Sequence, residues 1–239
     1  GTSHFCNNAT NPTPTSVTTS GGTFTGSVGL VVSSAGEIDL VSSVIGGPYD
    51  LTYTTGGVNC VTSSTIQVYV DDLPDPNFGY GASAYCSGAG SIVPSFITTP
   101  GGVFSAPAGI VFADITNGII DLNSSTAGGP YSIEYLVSNG TCQDSVTFDI
   151  TIDSPADASF TYTTNYLCVN GPNISPASTN NPGVFSTTSP LNISNASTGE
   201  IGASISPLGG PYKIYYTVNI GSCTGIDSLD IYIEEAPDP

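Results

Sequence analysis

The stretch Gly46-Gly47-Pro48-Tyr49-Asp50-Leu51-Thr52-Tyr53 decides the fold of this chain. Its first four residues return as Gly128–Tyr131 and Gly209–Tyr212, 82 and then 81 positions on, so the sequence has to be read as a repeat before any single motif is weighed. Alternating residues follow each copy: Tyr49, Leu51, Tyr53, then Tyr131, Ile133, Tyr135, then Tyr212, Ile214, Tyr216. A period of two describes a strand with one buried face. Glycine reaches backbone angles closed to other residues, and proline is tolerated at the first residue of a strand, where its missing N–H is least needed. The tetrapeptide therefore reads as the turn that launches the penultimate strand of a unit, with its tyrosine as the first side chain to bury.

Other marks fall in the same phase. Gly21-Gly22-Thr23-Phe24 corresponds to Gly101-Gly102-Val103-Phe104 and Pro182-Gly183-Val184-Phe185. A second alternating run closes each unit: Ile66, Val68, Val70, then Phe148, Ile150, Ile152, then Leu229, Ile231, Ile233. Between these marks, short Thr, Ser, Val and Ile runs are broken by Gly, Pro and Asn every eight to twelve residues, the spacing of an all-β sandwich or barrel. No segment keeps a helical period. The expected fold is all-β, three sandwich domains in tandem at residues 1–73, 77–154 and 158–239.

The six cysteines form two series, Cys6, Cys86, Cys168 and Cys60, Cys142, Cys223, so each unit holds two. No neighbouring His or second Cys makes a CxxC-type metal site, and the pattern points to disulfides in an oxidising, extracellular compartment. Of the fifteen possible connectivities, repeat symmetry with self-contained units predicts Cys6 with Cys60, Cys86 with Cys142, and Cys168 with Cys223. Each bridge would close a loop of roughly 55 residues, worth about 4 kcal/mol on the chain-entropy model.

Composition excludes several function classes. One basic residue, Lys213, stands against 19 acids for a net charge of −18, which leaves no basic surface for nucleic acid or anionic membrane. No run of about 18 apolar residues is present to span a bilayer. Charged residues are only 8%, while 38% hydrophobic content is too high for a disordered acidic tail, so a folded chain with a Ser, Thr and Asn surface is expected. An enzyme is not expected: His4 reads as a solvent-exposed residue near a terminus, Lys213 as a surface strand residue, and no acidic pair recurs beside aromatics outside the joints.

Those joints are acidic and contain proline: Asp71-Asp72-Leu73-Pro74-Asp75-Pro76, Asp153-Ser154-Pro155-Ala156-Asp157, and Glu234-Glu235-Ala236-Pro237-Asp238-Pro239. Asp71, Asp72, Asp75, Asp153 and Asp157 are candidate calcium ligands, since calcium takes six to eight oxygens. They read first as solvated linker acids that oppose edge-to-edge pairing, because no D-x-D-x-D/N-G loop occurs. No other cofactor is expected. Each internal joint leads into an aromatic pair, Phe78 and Tyr80 or Phe160 and Tyr162, whereas Gly1–Phe5 leave no room for such a pair. From this phase the sequence is expected to be a segment of a longer array.

The ordered set aromatic–Cys (Phe5-Cys6, Tyr85-Cys86), Asn11-Pro12-Thr13-Pro14, Gly21–Phe24, Gly29–Val32, Gly36-Glu37-Ile38-Asp39-Leu40 and Gly47-Pro48-Tyr49 resembles the immunoglobulin-like and cadherin-like repeats of long cell-surface adhesins of Bacteroidota. The resemblance covers all three units. The third departs from it at Ile201-Gly202-Ala203, where Asp39 and Asp121 have no counterpart. It implies immunoglobulin-like sandwiches, type IX export as in gliding adhesins, and a cell-surface stalk or fibre whose partners are further repeats of the chain. Asp144-Ser145-Val146 and Asp227-Ser228-Leu229 match the O-glycosylation pattern of that phylum, making Ser145 and Ser228 candidate acceptors. Asn192-Ile193-Ser194 is an N-linked sequon that matters only in a source that uses it. Two further readings are a subunit of a self-assembled extracellular filament or sheath, and a carbohydrate-binding module that uses tyrosines as platforms for surface glycans on a host or substratum.

Overall fold

The computed structural model describes residues 2–57 and 60–235. Among them the regular structure is strand, apart from one 3-10 turn at Ala203–Ile205. The first unit holds β1 (Thr2–Cys6), β2 (Thr23–Gly26), β3 (Gly46–Gly57) and β4 (Cys60–Asp71). The second holds β5 (Phe78–Tyr80), β6 (Ala84–Cys86), β7 (Ser91–Ile92), β8 (Pro94–Ile97), β9 (Val103–Ser105), β10 (Phe112–Asp114), β11 (Ile119–Asp121), β12 (Gly128–Ser138) and β13 (Gln143–Asp153). The third holds β14 (Phe160–Thr161), β15 (Tyr166–Cys168), β16 (Ser178–Thr179), β17 (Val184–Thr187), β18 (Ile193–Asn195), β19 (Glu200–Ile201), β20 (Gly209–Ile220) and β21 (Cys223–Glu234).

One sheet recurs three times, in the orders β1-β4-β3-β2, β6-β13-β12-β9 and β15-β21-β20-β17. Its centre is the long antiparallel hairpin that follows each GGPY. On one side lies the Gly-x-Phe strand, which sets Phe24 opposite Tyr53, Phe104 opposite Tyr135 and Phe185 opposite Tyr216. On the other side a short strand that ends in the first cysteine runs parallel to the last strand, pairing Cys6 with Asp71, Cys86 with Asp153 and Cys168 with Glu234. Smaller pairings make the facing layer: β5-β8 and β10-β11-β7 in the second unit, β14-β16 and β18-β19 in the third.

The GGPY segment is the start of the strand and a bulge within it. Both glycines have positive φ, 127° and 137° at Gly46 and Gly47, and the ladder steps from Gly46 directly to Tyr49. The tyrosine is half-buried and its hydroxyl turns back to the preceding loop, donating to the Val44 carbonyl at 2.9 Å and, from Tyr131, to the Thr126 carbonyl at 3.1 Å. The tetrapeptide thus locks a loop to the hairpin base, which explains its presence once in each unit.

Three separate hydrophobic cores result. Leu30, Ile38, Leu40, Leu51, Val68 and Val70 form the first; Phe78, Tyr80, Phe104, Ile120, Tyr135 and Ile150 belong to the second; Phe160, Tyr162, Phe185, Ile214, Tyr216 and Ile231 belong to the third. The alternating residues named from sequence supply Leu51, Val68 and Val70 to the first, Ile133, Tyr135, Ile150 and Ile152 to the second, and Ile214, Tyr216, Ile231 and Ile233 to the third.

The expected pairing of cysteines within units is corrected. Cys6 is bonded to Cys142 and Cys86 to Cys223, with Cα–Cα distances of 5.5 and 4.9 Å, while Cys60 and Cys168 are free and exposed. The reason is the parallel strand. Cys60 opens β4, and Cys6 pairs with Asp71 at the other end of it. Eleven residue steps of about 3.3 Å separate those ends by about 36 Å, far beyond the roughly 7 Å between Cα atoms that a disulfide allows. Within a unit the two cysteines therefore sit at opposite poles, and the four that are bonded find their partners in the adjacent unit.

Candidate functional site

The residues that sequence reasoning singled out converge on the two joints between units. At the first joint, Asp71 ends β4, the Asn7 amide donates to its carbonyl at 3.0 Å, and the tip of the β12–β13 hairpin comes down on the same chain end. Asn139 Nδ2 donates to the Asp72 carbonyl at 2.9 Å, and Cys142 Sγ lies 3.8 Å from the Asp71 carbonyl. A half-cystine sulfur has no proton, so that last approach is contact rather than a hydrogen bond. The second joint repeats the plan: the Ser87 amide donates to the Asp153 carbonyl at 2.9 Å, and Cys223 Sγ lies 3.5 Å from that same oxygen. Here a side chain adds a clamp, since the Ser222 amide donates to Asp153 Oδ2 at 2.6 Å.

Both tips depend on glycine. Gly140 and Gly221 have φ of +98° and +56°, in the left-handed region that glycine occupies without strain. A Cβ on Gly221 would stand 2.3 Å from Asp153 Oδ2, and one on Gly225 would stand 2.1 Å from the Ala156 carbonyl. The joint backbone therefore presses against the next unit's hairpin at van der Waals range.

The candidate calcium ligands are not gathered into one cage. Asp71 Oδ2 meets His4 Nδ1 at 2.8 Å, and His4 also stacks on Tyr69 with centroids 4.4 Å apart, so this histidine is engaged rather than simply solvated. Asp72 Oδ1 accepts from Asn7 Nδ2 and from the Leu73 amide. Asp75 Oδ1 accepts from the Asn77 amide. Asp157 accepts from Ser159 through Oδ1 and from Asn180 Nδ2 through Oδ2. Among the described residues no three His, Cys, Asp or Glu side chains are placed to hold one metal ion. Hydrogen bonds lower two of these carboxyls below the usual range, Asp153 through the Ser222 backbone and side chain and Asp157 through Ser159. Ala236–Pro239 of the third joint lie outside the described residues.

The remaining candidates are dispersed. Ser145 and Ser228 are exposed at equivalent places on β13 and β21, each with its amide bonded to the preceding aspartate at 2.8 and 2.7 Å. Lys213 pairs across the sheet with Asp230 at 2.9 Å, as a surface strand residue does. Asp39 and Asp121 cap their own turns through Ser42 and through Asn123 and Ser124, and the third unit makes that turn with the 3-10 segment instead. Tyr166, 57% exposed, stacks on Tyr232 at 4.9 Å. Sequence reasoning missed Asn139, Ser222 and Gly225. The available signal was that glycine and a small polar residue stand beside the second cysteine in units two and three.

No family model and no curated protein sequence matches the chain. Among solved structures it is similar to a SusE-like, surface-located polysaccharide-binding protein from the heparin utilisation locus of Bacteroides thetaiotaomicron, at 14% identity and a TM-score of 0.32 over 90% of this chain. The match covers 43% of that protein, so this chain spans less than half its length. It is also similar to the EC1–3 segment of mouse protocadherin-24, at 12% identity and a TM-score of 0.33, covering 99% of this chain and 96% of the other. A third neighbour is extracellular domains 3–5 of Drosophila OTK, at 11% identity and a TM-score of 0.39, covering 87% and 78%.

Proposed function

We propose that the chain is a structural and adhesive segment of an extracellular repeat protein, part of a cell-surface stalk or fibre. The observation that carries this reading is that Cys6–Cys142 and Cys86–Cys223 join successive units rather than closing each one. Bridges of that kind act on extension and bending, not on chemistry within a unit. Proline at the joints and the Asp153–Ser222 clamp limit bending further, and a single Lys leaves almost no tryptic sites. Attachment to surface glycans or a substratum belongs to the same reading.

The bridges have a mechanical consequence. Under tension the shortest covalent path runs from the N-terminus to Cys6, across to Cys142, back to Cys86, across to Cys223 and on to the C-terminus. That path holds about 80 residues and extends at most to about 280 Å, against about 830 Å for the reduced chain. Force spectroscopy tests this. A contour length near the short value, lengthening roughly threefold on reduction, supports the reading; the long value without reductant overturns it.

The filament reading has its own observation. Cys168 ends β15 in the position Cys6 and Cys86 occupy, and Cys60 lies at a hairpin tip as Cys142 and Cys223 do. They are the two halves of one more bridge, and the partner in this reading is a second copy, joined head to tail. A heterologous contact of this kind propagates into an open fibre. The oxidant is a small disulfide: the Cys168 thiolate displaces one thiol from it, and Cys60 of the second copy then displaces the other. Glutathione disulfide should give a ladder of covalent oligomers whose peptide map contains Cys60–Cys168. A mixture of Cys60→Ser and Cys168→Ser chains should stop at the Cys168–Cys60 dimer, and a ladder that persists in that mixture overturns the reading.

A further inference from the structure

The first unit carries an open groove where its sister units hold a strand. In the second unit β5 lies antiparallel to β8, and its aromatic pair enters the core. Phe78 packs edge-on against Phe104 at 5.1 Å and against Tyr135 at 5.8 Å, and Tyr80 reaches Phe148 at 5.9 Å and donates to the Gly118 carbonyl at 2.6 Å. The third unit repeats this: Phe160 meets Phe185 and Tyr216 at 5.4 and 5.8 Å, and Tyr162 donates to the Gly199 carbonyl.

The first unit has every receiving residue. Phe24 and Tyr53 stand for Phe104 and Tyr135, with their rings 4.6 Å apart as against 4.5 Å in the second unit. Ile66 stands for Phe148 and Gly36, at φ +91°, for Gly118 at +67°. These four residues, with Pro14 and Val17, line a cavity of about 600 Å³. Phe104 and Tyr135 are 0% and 1% exposed, yet Phe24 and Tyr53 are only half-buried and Ile66 is 40% exposed. The segment equivalent to β8, Pro14–Val17, is irregular here, and Val17 is 46% exposed. Receiving side chains are present, but the backbone that orders them is not.

We propose that this groove is a strand-acceptor site, and that its ligand is an extended peptide segment carrying an aromatic residue and, two positions on, a tyrosine. The spacing follows from strand geometry, since residues i and i+2 face the same side. The first ring packs edge-on against Phe24 and Tyr53, as Phe78 does against Phe104 and Tyr135, and the tyrosine hydroxyl reaches the Gly36 carbonyl. Pro14–Val17 then becomes the pairing strand, as in other complexes that add a strand to a sheet edge. The donor is the exit joint of a unit of this same kind, because the two filled grooves show which chemistry fits. The site does not depend on the adhesive reading; a module of any function built this way would accept such a strand.

The test uses the full chain and a synthetic peptide of sequence Pro74–Gly81, compared with the same peptide carrying alanine for both aromatics. Amide hydrogen exchange reports the groove, with the second and third units as internal controls. The aromatic peptide should slow exchange at least tenfold at Phe24, Tyr53 and Thr15–Val17 and leave the other units unchanged, while the alanine peptide does nothing. Because a free peptide pays the cost of ordering, a second variant carries Asp71–Ser83 fused ahead of Gly1. It should give the same protection and raise the first unit's melting midpoint, and Phe→Ala and Tyr→Ala changes in the fused copy should abolish both effects. Lack of protection in both arms, or equal protection by the alanine forms, overturns the proposal.

Discussion

The carboxylate of Asp153 accepts a 2.6 Å hydrogen bond from the amide of Ser222, 69 residues further along the chain and next to the Cys86–Cys223 bridge. The bond lowers the Asp153 pKa below its ordinary 3.8. A group depressed in the folded state stabilises at pH above its unfolded value and loses that contribution as pH falls through its folded value. The clamp should therefore be complete at neutral pH and weaken only below about pH 3.8. The protection factor of the Ser222 amide, its exchange relative to the intrinsic rate at the same pH, should fall in acid, and Asp153→Ala should give that lower protection at neutral pH. Unchanged protection in the variant would show that the clamp is not formed in solution.

Reduction should uncouple the units without unfolding them. Each core is built from its own residues, and the bridges lie outside it. On the chain-entropy model each bridge, closing a span of more than 130 residues, opposes complete unfolding by about 5 kcal/mol. Dithiothreitol is expected to leave the far-ultraviolet circular dichroism of the sheets intact at room temperature while broadening the intramolecular pair-distance distribution in solution scattering. Loss of β signal on reduction alone would show that the bridges hold the units themselves.

Phe78→Ala should be far more damaging than Ile66→Ala. Phe78 is 5% exposed among four aromatic partners, and truncating such a residue costs about 3–5 kcal/mol. Ile66 is 40% exposed beside the open groove, so its truncation should cost about 1 kcal/mol or less. Urea denaturation followed unit by unit with exchange measurements separates the two. Equal costs would contradict the open state of the first unit.

Gly225→Ala should loosen the second joint. Its Cβ would stand 2.1 Å from the Ala156 carbonyl, a backbone atom that a rotamer change cannot move. The expected loss is about 1–3 kcal/mol of joint stability, in the range of other overpacking changes. A bent or more mobile second joint in scattering, with the third unit still folded, is the predicted result.

Chelation should leave the protein unchanged. Asp72 and Asp75 accept hydrogen bonds through Oδ1 and Asp157 through both oxygens, and among the described residues no three such side chains share a site for one ion. The melting temperature is expected to be the same in EDTA and in millimolar calcium. A rise with calcium would restore the joints as an ion site.

Much of this architecture was legible because local chemistry sets it. Alternation at Tyr131, Ile133 and Tyr135 announces a strand with one dry face, and GGPY and the Gly-x-Phe pairs mark the turns of each copy. The candidate site was legible only in part. Asp71, Asp72, Asp153 and Asp157 were placed at the joints from their company with proline, yet the hairpin tips that meet them, Asn139 and Ser222, lie about 70 residues away and carry no pattern of their own.

By itself the sequence determined that three copies of one β unit follow each other, that each carries two cysteines in phase, and that acidic proline joints separate them. It did not determine which cysteines meet, because a repeat looks the same whether each unit bonds to itself or to its neighbour. Only the tertiary structure decided that, by laying the first-cysteine strand parallel to the last strand and so sending the two cysteines of a unit to opposite ends of a 12-residue hairpin arm. Period and composition act along the chain, whereas pairing is a property of distance between segments, which no run of residues records.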